Sequence, residues 1–165
     1  MYLSDYHLHT EYSYDSCEKM SAVCEKAISA GMSEIAFTDH VDICGYEVYD
    51  QRIDLNKREK EISRLQEKYL GKLVIKNGIE LGQPQANPHE AERFYSETSF
   101  DFILGSIHNL KNDVEVSLLD FNRRDRCNNI IDSYIDSLTQ LALGYDFDVL
   151  AHITFPYRYL PPEDF

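Results

Sequence analysis

Short runs rich in β-branched and aromatic residues alternate along this chain with longer segments that have the apolar spacing of helices. No stretch rich in proline or glycine interrupts the alternation as a linker would. Strands separated by helices are typical of βα units around a parallel sheet, so we predict an α/β fold and one domain over residues 1–165. The predicted strands cover residues 2–8, 34–38, 72–81, 100–106 and 147–153.

Three segments between these strands carry apolar side chains at helical spacing, over residues 20–28, 55–69 and 130–141. Gly31 follows the first segment, where a helix end often needs a residue with positive φ, and the other two segments end before Gly71 and Gly144. We therefore expect three amphipathic helices. Their apolar stripes are predicted to pack in the core rather than to contact a cofactor.

The charge of the chain limits the partners that it can bind. It has 29 acidic and 16 basic residues and a formal net charge of −13, which argues against binding nucleic acid or an anionic membrane through a general electrostatic field. No apolar run approaches the roughly 20 residues that span a bilayer, and the N-terminus MYLSDYHLHT lacks the features of a signal peptide. We expect a cytoplasmic protein that holds any anionic substrate locally, through metal ions or a few placed cations.

The cysteines form no C-x-x-C pair. In an intracellular chain we expect them to be reduced and mostly packed in the core. They are Cys17, Cys24, Cys44 and Cys127.

The first predicted strand ends in the sequence HLH. Side chains alternate faces along a strand, so His7 and His9 would point the same way and could hold one metal ion. The alternative is a pair of polar residues on a solvated edge. For an isolated H-x-H that alternative is the better interpretation, because the spacing is common by chance.

Other histidines also lie at the ends of predicted strands. His40 follows the second strand and His108 the fourth, while His152 lies at the end of the fifth. Glu80 ends the third strand. In parallel βα barrels the carboxyl ends of the strands bring functional side chains to one face, so we expect these groups to meet.

Imidazole and carboxylate groups are the ligands that Zn, Mn and Fe prefer, and one glutamate can bridge two ions through its two oxygens. More ligands are present than one ion needs. Two or more neighbouring ions are typical of an in-line phosphoryl displacement, so the pattern predicts hydrolysis of a phosphoester with two or more divalent ions as cofactors.

The motifs HLH, TDH, GIELG, GSIH and DVLAH, together with Asp15, occur in an order that resembles the polymerase and histidinol phosphatase (PHP) family of metal-dependent phosphoesterases. The resemblance is closest to the histidinol-phosphate phosphatase branch and covers essentially the whole chain. It implies parallel βα units of a distorted seven-stranded (β/α)7 TIM-like barrel with a trinuclear metal centre.

Carried over by residue, the resemblance implies three ion sites, with Glu80 bridging the first and the second. The implied ligands are His7, His9 and Glu80 for the first ion, Glu80, His108 and His152 for the second, and Asp15 and His40 for the third. In that branch a hydroxide bridging the metals attacks the phosphorus of histidinol phosphate, which gives histidinol and inorganic phosphate in histidine biosynthesis. Arg158 resembles an arginine with which that branch grips the phosphate.

Several of these residues also have plainer interpretations. Arg158 could be an ordinary surface arginine, although a guanidinium suits phosphate oxygens well. Asp15 alone would be a loop acid, and Asp39 could either orient an imidazole or cap a helix or loop. His89 lies at a predicted helix start and matches no family motif, and Asp5 is predicted to support the backbone rather than to bind metal.

The family pattern continues with an Asp-x-His motif that supplies ligands for the first and third ions, and no such motif follows His152 in this sequence. A complete βα barrel takes about 250 residues, so we expect an incomplete barrel and a chain that is a piece of a longer protein. An open sheet edge favours self-association, which makes a homo-oligomer possible. The same motifs also suit a PHP phosphoesterase for nucleotides, sugar phosphates or phosphotyrosine, or a metal-binding fragment with impaired catalysis.

Overall fold

The computed structural model describes residues 1–43, 53–111 and 114–161. Its strands are β1 Ser4–Leu8, β2 Glu34–Phe37, β3 His40–Asp42, β4 Val74–Gly82, β5 Phe102–Ser106, β6 Asn109–Leu110, β7 Val114–Glu115 and β8 Val149–Leu150. The main sheet is parallel, in the order β1-β2-β4-β5-β8, with β3 paired to β4. Strands β6 and β7 form a separate antiparallel pair. The parallel βα units make a curled half-barrel sheet, which confirms the predicted fold class.

All five predicted strands are present, with differences near the predicted site. Phe37 pairs with Asn77 and His40 pairs with Glu80, so β2 and β3 lie in succession along the same side of β4. His40 follows β2 as predicted, and it begins a short strand of its own. Strand β4 continues two residues beyond Glu80, to Gly82, because β3 and β5 both pair with it there.

The helices are α1 Met20–Ser29, α2 Leu55–Lys68, α3 Pro88–Glu97 and α4 Arg124–Gly144. Asp54 accepts a hydrogen bond from the backbone amide of Lys57 and so caps α2, while Asn87 caps α3 through the amide of Glu90. Gly31 has positive φ just beyond α1, as the sequence predicted, and Gly71 has positive φ beyond α2. The prediction that the third helix ends before Gly144 is wrong by one residue, because α4 includes Gly144.

The three helical stripes predicted from the sequence pack in the core. Met20, Cys24 and Ala27 of α1 join Ile62 and Leu65 of α2 in one apolar cluster against the sheet. A second cluster contains Tyr134, Leu138 and Leu141 of α4. Burial of these faces fixes the helices on the sheet and leaves the loops at the carboxyl ends of the strands free to carry polar groups.

The cysteine prediction is confirmed in part. Cys24 and Cys127 are buried, and Cys17 is exposed. Burial raises the pKa of the Cys24 thiol to about 11. Cys44 lies outside the described residues. Among the helices that the structure describes, none combines the length and the apolar character needed to cross a membrane.

Candidate metal centre

The predicted ligands meet at the carboxyl edge of the parallel sheet, around the carboxylate of Glu80. The side chain of Glu80 is fully buried near the end of β4, in the middle of the sheet. Strands on both sides of β4 end at the same edge, and histidines within or just beyond these strands lie around this carboxylate.

One oxygen of Glu80 faces two histidines from the β5 side of the sheet. Its Oε1 lies 2.7 Å from Nε2 of His152 and 3.1 Å from Nε2 of His108. The two Nε2 atoms are 3.3 Å apart. His152 lies beyond the short strand β8 with a φ of 26°, and Tyr134 donates a hydrogen bond to its carbonyl at 3.0 Å. This backbone conformation is uncommon outside glycine, although histidine adopts it more often than most residues.

The other oxygen of Glu80 faces three histidines from the β1 side. Its Oε2 lies 2.9 Å from Nε2 of His7, 2.9 Å from Nε2 of His9 and 3.5 Å from Nδ1 of His40. His7 and His9 thus converge on one atom, as their i, i+2 spacing predicted. Glu80 divides the five histidines into two groups, one for each oxygen.

Asp15 lies at the outer side of the same cluster. Its Oδ2 is 2.9 Å from Nδ1 of His9 and 3.5 Å from Nε2 of His40. Burial alone would raise the pKa of Asp15, but hydrogen bonds with His40 and His9 hold it well below its usual range. The phenol ring of Tyr14, which the sequence analysis missed, stacks on His40 with ring centroids 4.7 Å apart. Desolvation raises the pKa of this phenol, so Tyr14 stays protonated at the mouth of the site.

The donor set fits divalent cations better than it fits a closed hydrogen-bond network. Nδ1 of His40 and Nδ1 of His152 are buried among the described residues without a hydrogen-bond partner. Nε2 of His152 lies close to the Nε2 of another imidazole as well as to Glu80. A neutral ring has a single N–H group, so it cannot donate a hydrogen bond to each of them. Within the part of the chain that the structure describes, three groups have ligand atoms within 4.8 Å of one another: His7, Glu80 and His152; His9, His40 and Glu80; and His40, Asp42 and His108.

Asp39 does not orient an imidazole. Its Oδ1 accepts from the backbone amide and the hydroxyl of Thr10, at 2.6 and 2.8 Å, and its Oδ2 accepts from Nε of Arg58 at 2.7 Å. Of its two predicted roles the support of a loop is therefore the correct one. Thr10 follows His9 directly, so the buried Asp39 fixes the turn that carries this histidine.

The remaining predicted residues lie away from the Glu80 carboxylate. Arg158 is exposed on a 3-10 helix, with its Cζ 5.6 Å from the ring of Phe155, and that ring lies against His152. His89 is exposed on α3, with a side chain that is 86% accessible. Asp5 accepts a hydrogen bond from the backbone amide of His7 at 3.1 Å, in agreement with its predicted supporting role.

Asp42 is a buried carboxylate of this cluster that was not among the residues predicted from the sequence. It lies two residues after His40 on β3, and its Oδ1 is 2.8 Å from Nδ1 of His108. The i, i+2 spacing from a predicted ligand was an available signal. The role of Asp42 depends on the pairing of β3 with β4, because this pairing brings Asp42 close to the strand that leads to His108.

The charges of the cluster shift the pKa values of its members in opposite directions. Burial lowers the pKa of His108, but Asp42 and Glu80 outweigh burial and raise it to about 10. Burial would raise the pKa of Glu80, but hydrogen bonds from His108, His152 and His7 hold it far below its usual range. Without metal, the protonated imidazole of His108 therefore balances part of the carboxylate charge.

We expect the metal-free protein to lose stability as the pH rises from about 6.5 to about 10. The pKa of His108 is raised on folding, so its charged form contributes stability that is fully present below its ordinary pKa of 6.5 and is lost as the pH passes about 10. Urea unfolding in a chelator across this range measures the effect. His108→Gln should flatten the pH profile and the exposed His89→Gln should not. Identical profiles for the wild type and His108→Gln would contradict the assignment.

Comparison with known proteins places this geometry in a family. The model of the PHP domain family matches residues 5–163. The chain belongs to the PHP domain family. Among curated PHP relatives, it is 36% identical over 112 residues to the histidinol-phosphatase of Lactococcus lactis. That match covers 68% of this chain and 41% of the relative.

Solved structures of PHP relatives agree with the fold. A crystal structure of the Lactococcus lactis histidinol phosphate phosphatase, complexed with zinc, L-histidinol and phosphate, superimposes with a TM-score of 0.86 at 28% identity. The match covers 96% of this chain and 60% of that one. A structure from Listeria monocytogenes, 16% identical with a TM-score of 0.74, shares the fold over 87% of this chain and 62% of its own. The chain thus spans less than two thirds of the length of these relatives.

Proposed function

We propose that this PHP chain hydrolyses a small phosphomonoester, histidinol phosphate, to histidinol and inorganic phosphate with bound divalent cations. The observation that carries the proposal is the convergence of five histidines on the two oxygens of one buried glutamate. The similarity to histidinol-phosphatases supports the choice of substrate.

The residues around Glu80 would hold two or three ions. The donor set is nitrogen and carboxylate oxygen, which suits zinc, manganese or iron. When bound, such ions supply positive charge for phosphate oxygens and lower the pKa of water to about 7, so that a nucleophile exists at neutral pH. We infer that His7, His9, Asp15, His40, Glu80, His108 and His152 are the ligands.

The chain itself supplies position and access. Glu80 would bridge two ions because its oxygens already face separate histidine groups, and its burial between β3 and β5 holds it rigidly. The side chains of His7 and Asp15 are each 40% exposed, so the cluster opens to solvent on this side. Arg158 would then reach the phosphate group from the 3-10 helix beside His152, as a positive charge in an acidic protein.

Purified protein should hydrolyse histidinol phosphate when zinc or manganese is supplied, and His7→Ala should lower kcat/KM by more than about 100-fold. Substitution of a group that only orients a metal ligand lowers metal affinity or activity by about 10–100-fold, so removal of a ligand should lower activity at least as much. Phosphate release and metal content by elemental analysis measure both effects on the same sample. His89→Ala is the matched control because it removes an exposed imidazole outside the cluster.

The same assays separate the competing functions. Faster turnover of a nucleotide, a sugar phosphate or a phosphotyrosine peptide would replace histidinol phosphate as substrate. Bound metal without turnover of any phosphoester would contradict the proposal and support a metal-binding role alone. Size-exclusion chromatography with light scattering would test the predicted self-association. Fractionation of the source cells would test the predicted cytoplasmic location.

A further inference from the structure

We propose that Asp42 is a positioning residue that fixes the tautomer and the ring orientation of His108, with Gly82 and Gln83 holding the carboxylate in place. This inference rests on the metal-dependent function proposed above, but it concerns residues outside the predicted ligand set. Asp42, Gly82 and Gln83 are contributed by the adjacent ends of β3 and β4.

The donors and acceptors around Asp42 leave one consistent arrangement. The side-chain Oε1 of Gln83 accepts from the backbone amides of His108 and Asn109, at 2.8 and 3.1 Å. The amide nitrogen of Gln83 therefore points the other way and donates to Oδ1 of Asp42 at 2.8 Å. Gln83 thus links the carboxylate of Asp42 to the backbone that carries His108.

The same oxygen of Asp42 lies 2.8 Å from Nδ1 of His108. An ionised carboxylate can only accept, so Nδ1 of His108 must carry the proton in this contact. The opposite nitrogen, Nε2, faces Glu80 and His152 within 3.3 Å. A carboxylate on one imidazole nitrogen sets the tautomer, raises the basicity of the other nitrogen and aims its lone pair at a cation.

Glycine at position 82 makes this contact possible. Gly82 pairs with Asp42 across β3 and β4, and a Cβ at Gly82 would lie 1.8 Å from Oδ1 of Asp42 and 3.2 Å from Nδ1 of His108. The carboxylate therefore occupies the space of the missing side chain. Gln83 follows with a φ of 37°, a left-handed conformation that turns the chain at the end of β4. This turn places the side-chain amide of Gln83 against the backbone of His108.

A direct role for Asp42 in binding metal is the competing interpretation. Its second oxygen, Oδ2, is 3.7 Å from the unpartnered Nδ1 of His40. The two roles differ in what is lost when the carboxylate is removed. A positioning residue changes the affinity of ions that other residues hold, whereas a ligand changes the number of ions that the protein holds.

The test is zinc binding by Asp42→Ala, measured by competition with a chromophoric chelator. We expect affinity to fall by about 10–100-fold with an unchanged number of ions at saturation. Asp42→Asn keeps an acceptor oxygen and should recover most of the affinity. Gly82→Ala should lower affinity like Asp42→Ala although Asp42 is still present. The control is Asp148→Ala, which removes a carboxylate that accepts from the backbone amide of Ile103 away from the imidazoles.

Proton NMR of the zinc-loaded protein gives a signature that a merely structural role would not move. The Nδ1 proton of His108 should exchange slowly with water in the wild type and in Asp42→Asn, and rapidly in Asp42→Ala. Unchanged affinity in Asp42→Ala, or loss of one equivalent of zinc, would overturn the inference, as would a wild-type protein that binds no zinc. Zinc binding without phosphatase activity would contradict the proposed function alone.

Discussion

Glu80→Gln is expected to reduce zinc affinity by more than about 100-fold and to abolish measurable phosphatase activity. The reason is that both oxygens of Glu80 are used, one by His108 and His152 and the other by His7 and His9. An amide keeps one oxygen and replaces the other with a nitrogen that cannot bind a cation. The substitution therefore removes a ligand from one group and the negative charge from both.

The measurement is zinc stoichiometry and affinity of purified Glu80→Gln, followed by hydrolysis of histidinol phosphate on the same sample. Glu92→Gln, on the exposed face of α3, makes the same chemical change away from the cluster and should leave both quantities unaltered. Circular dichroism confirms that each variant is folded. A Glu80→Gln protein that keeps its full zinc content and affinity would show that the ions are held elsewhere.

The histidine cluster was predictable because it depends on local rules. Residues that end parallel strands reach one edge, and the strands themselves have clear apolar and β-branched patterns. The division of the cluster by the two oxygens of Glu80 follows from its central strand, which pairs with β3 and β5 at the same height. A glutamate near the end of a middle strand can be approached from both sides.

The parts that the sequence did not reveal depend on contacts between distant segments. Asp39 was predicted to orient an imidazole or to cap, and its partner Arg58 lies 19 residues further along, on α2. The role of Asp42 depends on a carboxylate that fills the space above Gly82, which is fixed by the pairing of β3 with β4. The apolar periodicity of a segment predicts which face of the strand or helix a residue occupies. It does not predict which polar group that residue contacts.

The largest expected effect on stability comes from Arg58→Met. Arg58 is buried to 1% exposure, and its Nε donates to Asp39 at 2.7 Å. Its remaining nitrogens donate to Asn77 and to the carbonyls of Phe37 and Gly78, at 2.7–2.8 Å. Methionine has a similar length but no donor, so Asp39 would be left as a buried charge without its cation. Loss of one partner of a buried ion pair costs about 3–5 kcal/mol of unfolding free energy.

Arg64→Met on the same helix is the matched control. Arg64 is 61% exposed and pairs with Glu61 at 3.4 Å, so its removal should cost less than about 1 kcal/mol. Urea unfolding followed by circular dichroism compares the two variants in a chelator, where bound metal does not contribute. Equal losses for Arg58→Met and Arg64→Met would mean that the buried network adds no net stability.

The double variant Arg58→Met with Asp39→Leu distinguishes the stability lost through an unpaired buried charge from the stability lost through poorer packing. Removing both partners of a buried pair is often close to neutral, so the double variant should be more stable than Arg58→Met alone. Its zinc affinity should nevertheless fall below that of the wild type, because Asp39 also accepts from the amide and hydroxyl of Thr10, next to His9. Recovered stability together with weakened zinc binding would show that this buried pair serves the position of His9 rather than the stability of the fold.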